Sequence, residues 1–188
     1  MRRLLAAGAL AACVFMALPR TVSSAQDTAA AQAPRSRDAL LRVARDIMRE
    51  AHFCALITRD ANTGTSARTI DPAPPDSAMV VRFVTNPRSR KVRQLAADAR
   101  VALYYFDAKA QRYATLYGRA IAISNPSDKA RRWYEGWTPF YPQREREATL
   151  YEVIPDRIEL VSPAEGVLGD SLSWATPTIR FPSPRRAR

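Results

Sequence analysis

The sequence has 188 residues, a formal charge of +11, one histidine and two cysteines. With a single histidine, the sequence does not indicate a catalytic triad or a zinc site. Of the 29 basic residues, 26 are arginines spread along the chain, and none of the common nucleic-acid-binding modules is present, so the charge does not indicate a nucleic-acid partner.

Residues 1–25 have the pattern of a secretory signal peptide. Arg2 and Arg3 precede an apolar run that is too short for a comfortable membrane span, and small residues lead to a cleavage site after Ala25. Two refinements stay open. The run Leu10–Cys13 resembles a lipoprotein box whose cysteine would carry a lipid anchor, and the paired arginines resemble a twin-arginine signal. Either way, the protein is expected to be exported, to the periplasm or beyond.

Cleavage after Ala25 removes three arginines and no acids, which lowers the formal charge from +11 to +8. It also leaves Cys54 as the only cysteine, which excludes an intramolecular disulfide and a cysteine metal site, so no metal is predicted. Within the mature chain, residues 26–36 are predicted to be a flexible tether, 37–179 a single domain and 180–188 a disordered basic tail.

The first predicted element of the domain is a helix that begins after Ser36. Apolar residues between Leu40 and Met48 recur at the spacing of one helical face. The runs FCALIT and SARTID, joined by the polar segment RDANTGT, predict a β-hairpin, and MVVRFVT predicts the next strand. Because consecutive strands usually pair, Arg68 in the second hairpin strand is expected beside that strand.

The second half of the chain is predicted to be mostly strands. The run RVALYYFD is apolar almost throughout and predicts a strand buried on both faces. Gly118 in the next run indicates a bulge or a close backbone approach. A short helix follows, and then a closing hairpin with its turn at Pro155 and Asp156. The order of elements predicts a mainly β fold, an antiparallel barrel that is closed or split, with a leading α-helix and two short inserted helices.

The segment TNPRSRK joins a predicted strand to a predicted short helix. Asn86 is a suitable N-cap and Pro87 suits the first helical position. Ser89, Arg90 and Lys91 then fall in the first turn, where the helix dipole disfavours positive charge. Either this segment is a solvated basic corner, or an anion binds the free N–H groups, the hydroxyl and the cations together. The spacing alone leaves both interpretations open.

Over residues 37–165 the sequence resembles the flavin-binding split barrels of the pyridoxamine 5′-phosphate oxidase group, and its closing segment is most similar to their smaller general-stress branch. The most specific part of the resemblance is a strand that ends in Thr85 and Asn86, followed after two residues by Ser89-Arg90-Lys91 and a short helix. The resemblance implies a six-stranded antiparallel split β-barrel that forms a homodimer with FMN at the subunit boundary.

The resemblance also implies a cofactor site. Arg68, Ser89, Arg90 and Lys91 are expected to hold the FMN phosphate, with Thr85 near the flavin ring or the ribityl chain. These expectations rest on the family pattern, since the spacing by itself indicates only an anion.

Two departures from the family pattern concern the chemistry. Tyr113 occupies the position where the oxidase group has a flavin-contacting glutamine, and the C-terminal arginine–histidine element that holds the pyridoxal substrate is missing. The vitamin oxidase reaction is therefore not expected. Trp174, in the segment GDSLSW, is expected either to reach across the dimer to the flavin ring or to lie on the core of its own chain.

Three functional interpretations follow. The first is an exported FMN-dependent oxidoreductase of unknown substrate, in which the cofactor supplies the chemistry. The second is a non-catalytic module that holds flavin, deazaflavin or haem. The third is a structural barrel whose cofactor site has decayed.

Overall fold

The computed structural model describes residues 36–60 and 64–182. The predicted leader, the Cys13 lipid site, the tether up to residue 35, the hairpin tip and residues 183–188 of the predicted tail lie outside the described residues. The elements in chain order are α1 (Arg37–Ala51), β1 (Cys54–Asp60), β2 (Gly64–Ile70), β3 (Val81–Thr85), α2 (Arg90–Ala97), β4 (Arg100–Asp107), β5 (Arg112–Ile123), α3 (Pro126–Arg131), a 3₁₀ turn (Glu135–Trp137), α4 (Arg144–Glu147), β6 (Thr149–Val161) and β7 (Thr178–Arg180).

The seven strands form one antiparallel sheet in the order β2-β1-β4-β5-β6-β3, and β7 pairs with β6. This arrangement confirms the predicted mainly β class and the antiparallel split barrel with its leading helix. The sheet has seven strands rather than six because the short strand β7 adds to β6. The expected pairing of β2 with β3 is wrong, because these strands are the two ends of the strand order.

Helix α1 forms as predicted and covers the core. The Ala39 N–H donates to Ser36 Oγ at 3.2 Å, which caps the first turn. Ala44, Ile47 and Met48 lie on the inward face, and each is at most 2 % exposed. Because these side chains pack against the sheet, burial of the apolar face holds the helix in place.

Strand β6 replaces the predicted closing hairpin. Tyr117 of β5 pairs with Arg157 and Gly118 pairs with Pro155, so Asp156 is an extra residue in the register. A β-bulge of this kind accommodates proline, which has no N–H to give to the ladder. Pro155 therefore bends a continuous strand instead of starting a turn.

Gly118 lies at this bulge, as the sequence predicted. A Cβ atom added to Gly118 would lie 2.1 Å from the carbonyl oxygen of Ile154 and 3.2 Å from the Cα of Pro155. Both neighbours are backbone atoms, so β5 and β6 approach each other here at a distance that only glycine permits.

Strand β4 is not buried on both faces. Val101, Leu103 and Tyr105 point into the core, whereas Tyr104 is 37 % and Phe106 is 50 % exposed. The prediction was wrong because an apolar run can also alternate between a core and an outer face. The outer face of β4 therefore presents aromatic side chains to the surroundings.

The C-terminal boundary of the domain differs from the expected one at residue 179. Arg180 is the last residue of β7, and Phe181 packs against the core while its N–H donates to the carbonyl of Asp156 at 2.9 Å. The Arg37 guanidinium lies 5.2 Å from the centre of the Phe181 ring. The ordered domain therefore includes the first residues that were assigned to the tail.

Candidate functional site

The turn before α2 differs from the prediction in its first residue. Asn86 is not the N-cap: its Oδ1 accepts from the Arg88 N–H at 2.8 Å, and its carbonyl accepts from the Ser89 N–H at 3.0 Å. Helix α2 begins at Arg90, with Ser89 as the N-cap. The shift of three residues puts Arg90 and Lys91 at the first two helical positions, where backbone N–H groups have no intrahelical acceptor.

The predicted hydroxyl and cationic side chains meet at this helix end. Thr85 Oγ1 is 3.2 Å from Ser89 Oγ and accepts a hydrogen bond from Lys91 Nζ at 2.8 Å. The Ser89 side chain makes no capping hydrogen bond. Thr85 is 4 % exposed, so Lys91 is folded back over the end of β3 rather than extended into solvent.

Arg68 reaches the same helix from β2. Its Nη2 donates to Gln94 Oε1 at 2.7 Å, and its Nη1 donates to Thr58 Oγ1 at 2.6 Å and to the Leu56 carbonyl at 3.4 Å. Since Gln94 belongs to α2, which packs on β1, the helix brings the turn to Arg68. Arg68 is thus near Lys91 as expected, but through the helix and not through a strand pair.

The charges in the cluster act on one another. Burial lowers the pKa of Arg68, the charge of Arg90 lowers it further, and Asp60 opposes both. Burial and the charge of Arg68 also lower the pKa of Lys91. Asp60 apart, no carboxylate in residues 36–60 or 64–182 forms an ion pair with any of the three cations.

Helix α2 also has no acidic residue in its first turn. Positive side chains at a helix N-terminus are unfavourable by themselves and become favourable when an anion binds between them. The arrangement of Arg68, Thr85, Ser89, Arg90 and Lys91, called the cation cluster below, therefore has the chemistry of an oxyanion site.

The other two predicted site residues lie elsewhere in the subunit. Tyr113 is on β5 opposite Phe106, and its ring centre is 5.8 Å from that of Tyr104. Trp174 is 84 % exposed in the loop between β6 and β7, so it does not lie on the core of its own chain. Within the described residues no contact joins either side chain to the cation cluster, and their roles stay predictions.

The histidine and the cysteine of the domain are outside the cation cluster. His52 ends α1 with φ +59°, and its Nε2 lies 3.2 Å from Asp71 Oδ1. Cys54 is 3 % exposed, and burial raises the pKa of its thiol to about 12. A thiol with this pKa is protonated at neutral pH and is a poor nucleophile.

Two other features are absent from the described ranges. No group of three histidine, cysteine, aspartate or glutamate side chains is arranged to hold a metal ion. Among the same residues, no helix has the length and apolar character needed to span a bilayer.

Residues 40–155 match the family model described as "Pyridoxamine 5'-phosphate oxidase like". The chain belongs to this family. The match runs from α1 to the bulge in β6 and includes every residue of the cation cluster, and it confirms the resemblance predicted from the TNPRSRK segment. No curated protein sequence matches the chain at a significant level.

Solved structures support the same fold. A protein from Clostridium acetobutylicum related to general stress protein 26 has a TM-score of 0.63 at 14% identity, over 78% of this chain and 97% of that one. A pyridoxamine 5'-phosphate oxidase-related, FMN binding protein from Nostoc punctiforme has a TM-score of 0.55 at 14% identity, over 80% and 99%. A heme binding protein from Mycobacterium smegmatis has a TM-score of 0.55 at 15% identity, over 73% and 56%. At these identities the likeness establishes the fold and not the ligand.

The sequence interpretation missed the polar residues behind Arg68. Thr58, Ser66 and Gln94 are buried, and Gln94 also contacts Asp60. One signal was available: Gln94 follows Arg90 by four residues and Lys91 by three, which places all three on one face of a helix. The partners on β1 and β2 could not be found in this way, because they come from a distant hairpin.

Proposed function

We propose that this protein is an exported FMN-binding split-barrel protein that acts as a flavin-dependent oxidoreductase on a substrate still to be identified. The observation that carries the proposal is the cation cluster. Thr85, Ser89 and Lys91 lie together at the N-terminus of α2, Arg68 reaches the same helix at Gln94, and the charge of Arg68 acts on Lys91 while that of Arg90 acts on Arg68. The family to which the chain belongs, and an FMN binding relative with the same fold, support flavin as the source of the anion.

The residues fit the phosphate group of FMN. Lys91 and Arg68 are half-buried and mutually repulsive, so a dianion relieves the repulsion and restores the ordinary basicity of both. Ser89 and the first N–H groups of α2 add neutral donors. Each charge-assisted hydrogen bond of this kind contributes about 1.5–3 kcal/mol, enough to retain a cofactor with a doubly charged phosphate.

Bound FMN would supply transfer of a hydride or of single electrons. The protein side chains then have positioning tasks. Thr85 lies beside the phosphate subsite, where it orients Lys91. Tyr113, in place of the glutamine of the oxidase group, together with the missing arginine–histidine element, argues against pyridoxamine 5′-phosphate as the substrate.

We further propose a homodimer with the cofactor at its boundary, which would give Tyr113 and Trp174 a route to the flavin. Trp174, which is 84 % exposed, is free to contact a second subunit.

Export is proposed from the leader sequence. The paired arginines at positions 2 and 3 favour the twin-arginine route, which would carry the protein already loaded with flavin. A reporter fused to residues 1–35 should then remain in the cytoplasm of a strain that lacks the twin-arginine translocase. A reporter that is still exported from that strain would contradict the route.

A second candidate function is a non-catalytic carrier of flavin, deazaflavin or haem. The altered Tyr113 position and the missing substrate element favour it, and one relative with the same fold is a heme binding protein. His52, the one histidine available as an iron ligand, is at the end of α1 beside Asp71 and not in the cation cluster. The flavin-type ligands therefore fit the cluster better than haem does.

The visible spectrum of the purified mature protein tests these functions. We expect a yellow protein whose flavin is bleached by NADH or NADPH without oxygen. A yellow protein that no nicotinamide reduces would support the carrier. A colourless protein that binds no added FMN would overturn both.

A charge reversal tests the cation cluster in the same assay. Lys91→Glu should lose flavin while its circular dichroism spectrum is unchanged, because a carboxylate would repel the phosphate. Arg93→Glu, a change of an exposed residue on the same helix, is the matched control and should keep the flavin. Equal flavin content in the two variants would favour a solvated basic corner.

A further inference from the structure

Gln94 is the most completely hydrogen-bonded side chain beside the cation cluster. It is 5 % exposed. Its Oε1 accepts from Arg68 Nη2 at 2.7 Å and from Thr58 Oγ1 at 2.8 Å. Its Nε2 donates to Asp60 Oδ2 at 2.6 Å and to Ser66 Oγ at 3.2 Å. All four hydrogen-bonding positions of the amide are therefore used.

The charges on either side fix the orientation of this amide. The guanidinium of Arg68 must meet the amide oxygen, and the carboxylate of Asp60 must meet the amide nitrogen. A flipped amide would direct N–H groups at the guanidinium and its oxygen at the carboxylate, and both contacts would be repulsive. Gln94 thus lies between a cation and an anion in a single orientation.

This arrangement leaves some N–H groups of the Arg68 guanidinium for a ligand. Its hydrogen bonds inside the described part of the chain use three of its five N–H groups, two on Nη1 and one on Nη2. The Nε–H and the second hydrogen of Nη2 remain, and two neighbouring donors of this kind suit a bidentate oxyanion. The acceptors that Arg68 contacts are neutral, and the charge of Asp60 offsets only part of the effect of burial and of Arg90 on Arg68.

We propose that Gln94 is a positioning residue for the anion site, which aims Arg68 at the phosphate and keeps Asp60 from neutralising it. This inference rests on the proposed function. Gln94 touches no ligand and acts through Arg68. Because Gln94 is on the helix that also carries Arg90 and Lys91, one rigid element sets the position of all three cations.

The role predicts what happens when the amide is removed. Methionine at position 94 has a similar length but cannot hold the guanidinium and the carboxylate apart. Arg68 can then turn toward Asp60 and form a direct ion pair, which competes with the phosphate. Removing the Asp60 charge in the same chain takes this competitor away.

The test compares wild type, Gln94→Met, Asp60→Asn and the double variant, all as the full mature chain. FMN binding is followed by the quenching of flavin fluorescence, and inorganic phosphate binding by the NMR shift of the Arg68 Nε–H. We expect Gln94→Met to bind FMN about tenfold or more weakly, the effect of one charge-assisted hydrogen bond. The double variant should recover most of this loss, and Asp60→Asn alone should bind at least as tightly as wild type.

The outcomes separate this inference from the function on which it rests. Equal affinity of Gln94→Met and wild type overturns the positioning role and leaves the flavin function standing. A loss that Asp60→Asn does not recover overturns the shielding of Arg68 and indicates a merely structural glutamine. A wild type that binds phosphate but not FMN overturns the flavin function, and the same four proteins then test Gln94 with phosphate. A wild type that binds neither overturns both.

Gln94→Glu covers the case in which the methionine variant does not fold. Glutamate has the same shape and pairs directly with Arg68, so FMN binding should be lost with thermal stability kept within a few degrees. Retained FMN binding in Gln94→Glu would contradict the need for an Arg68 that is not paired directly with a carboxylate.

Discussion

Lys91 links anion binding to proton binding. Its Nζ donates to Thr85 Oγ1 at 2.8 Å, and burial and the charge of Arg68 lower its pKa in the ligand-free protein. A bound phosphate favours the charged ammonium and raises the pKa again. Binding therefore takes up a proton wherever Lys91 is partly neutral beforehand.

This linkage predicts the pH dependence of FMN binding. Below about pH 6 the phosphate loses its second charge, so affinity should fall with falling pH in every variant. Above neutrality, affinity should fall as the pH rises through the lowered pKa of Lys91. Lys91→Arg should lack this upper decline, because arginine stays protonated. Fluorescence titrations at constant ionic strength measure both limbs.

Arg93→Lys is the matched exchange on the exposed face of α2 and should follow the wild-type pH profile. The effect of Lys91 on folding stability has the opposite pH dependence to its effect on FMN affinity. The ligand-free unfolded chain binds more protons at Lys91 than the folded chain does, so this residue makes folding more favourable as the pH rises through its folded-state pKa. Identical pH profiles for wild type and Lys91→Arg up to about pH 10 would place Lys91 outside the phosphate subsite.

Among the strands, β5 and β6 make the closest backbone approach at Gly118. Gly118→Ala places a methyl group against the Ile154 carbonyl, and neither backbone can move without disturbing the bulge at Pro155. Overpacking of this kind typically lowers the free energy of unfolding by about 1–3 kcal/mol, and backbone contacts put the expected value at the upper end. Urea denaturation of the ligand-free protein measures it.

Ala122→Val is a control for this prediction, since residue 122 is exposed on the same strand and valine favours extended backbone. It should change the free energy of unfolding by less than about 0.5 kcal/mol. If Gly118→Ala were as stable as Ala122→Val, the backbones of β5 and β6 would not be in close contact at the bulge.

Local sequence signals predicted elements correctly where no distant partner intervened. Ser36 caps α1, and the short helix expected after the Gly118 strand forms as α3, where Asn125 Oδ1 accepts from two backbone N–H groups and Pro126 is the first residue. The same pair at Asn86 forms a turn instead, because Ser89 three residues later takes the N-cap position of α2. Capping chemistry alone does not decide between two adjacent candidates.

Long-range pairing overrode the turn signal at Pro155 and Asp156. Both halves of β6 find partners along β5, so a dipeptide typical of a turn becomes a bulge. The sequence carries no local mark of this outcome, since the decision depends on a strand some 40 residues earlier in the chain.

At the scale of the whole molecule, the outer aromatic face of β4 and β5 supports the proposed dimer. Phe106 is 50 % exposed and Tyr104 is 37 % exposed, and their rings stack at 6.5 Å while Tyr113 adjoins Tyr104. Phe106→Glu should therefore give a monomer in sedimentation velocity. If the cofactor lies at the subunit boundary, the same variant should also lose flavin.

Ile121→Glu is the control, because Ile121 is an exposed apolar residue of β5 outside this aromatic face. It should leave the dimer intact. A monomeric Phe106→Glu that keeps its flavin would place the whole cofactor site within one subunit, and a wild type that is monomeric at every concentration would contradict the dimer itself.

The sequence predicted correctly that Arg68 lies near the TNPRSRK turn, but it did so for a reason that the topology contradicts. Pairing of β2 with β3 was expected to bring Arg68 to the TNPRSRK turn, yet these strands are at opposite ends of the strand order. Instead, helix α2 brings Arg68 and the turn together, because Gln94 of this helix accepts a hydrogen bond from Arg68. The residue types at the site followed from the motif, whereas the element that unites them depended on how the barrel is split.

The contact between Arg37 and the last strand places the two ends of the ordered domain side by side. Arg37 Nη2 donates to the Arg180 carbonyl at 3.5 Å, and its guanidinium lies over Phe181. A circularly permuted gene could therefore join residue 182 to residue 36 with a few glycines and open the chain at the β1–β2 tip. The cation cluster would keep its connectivity in such a protein, because Arg68 and α2 would both lie downstream of the new start.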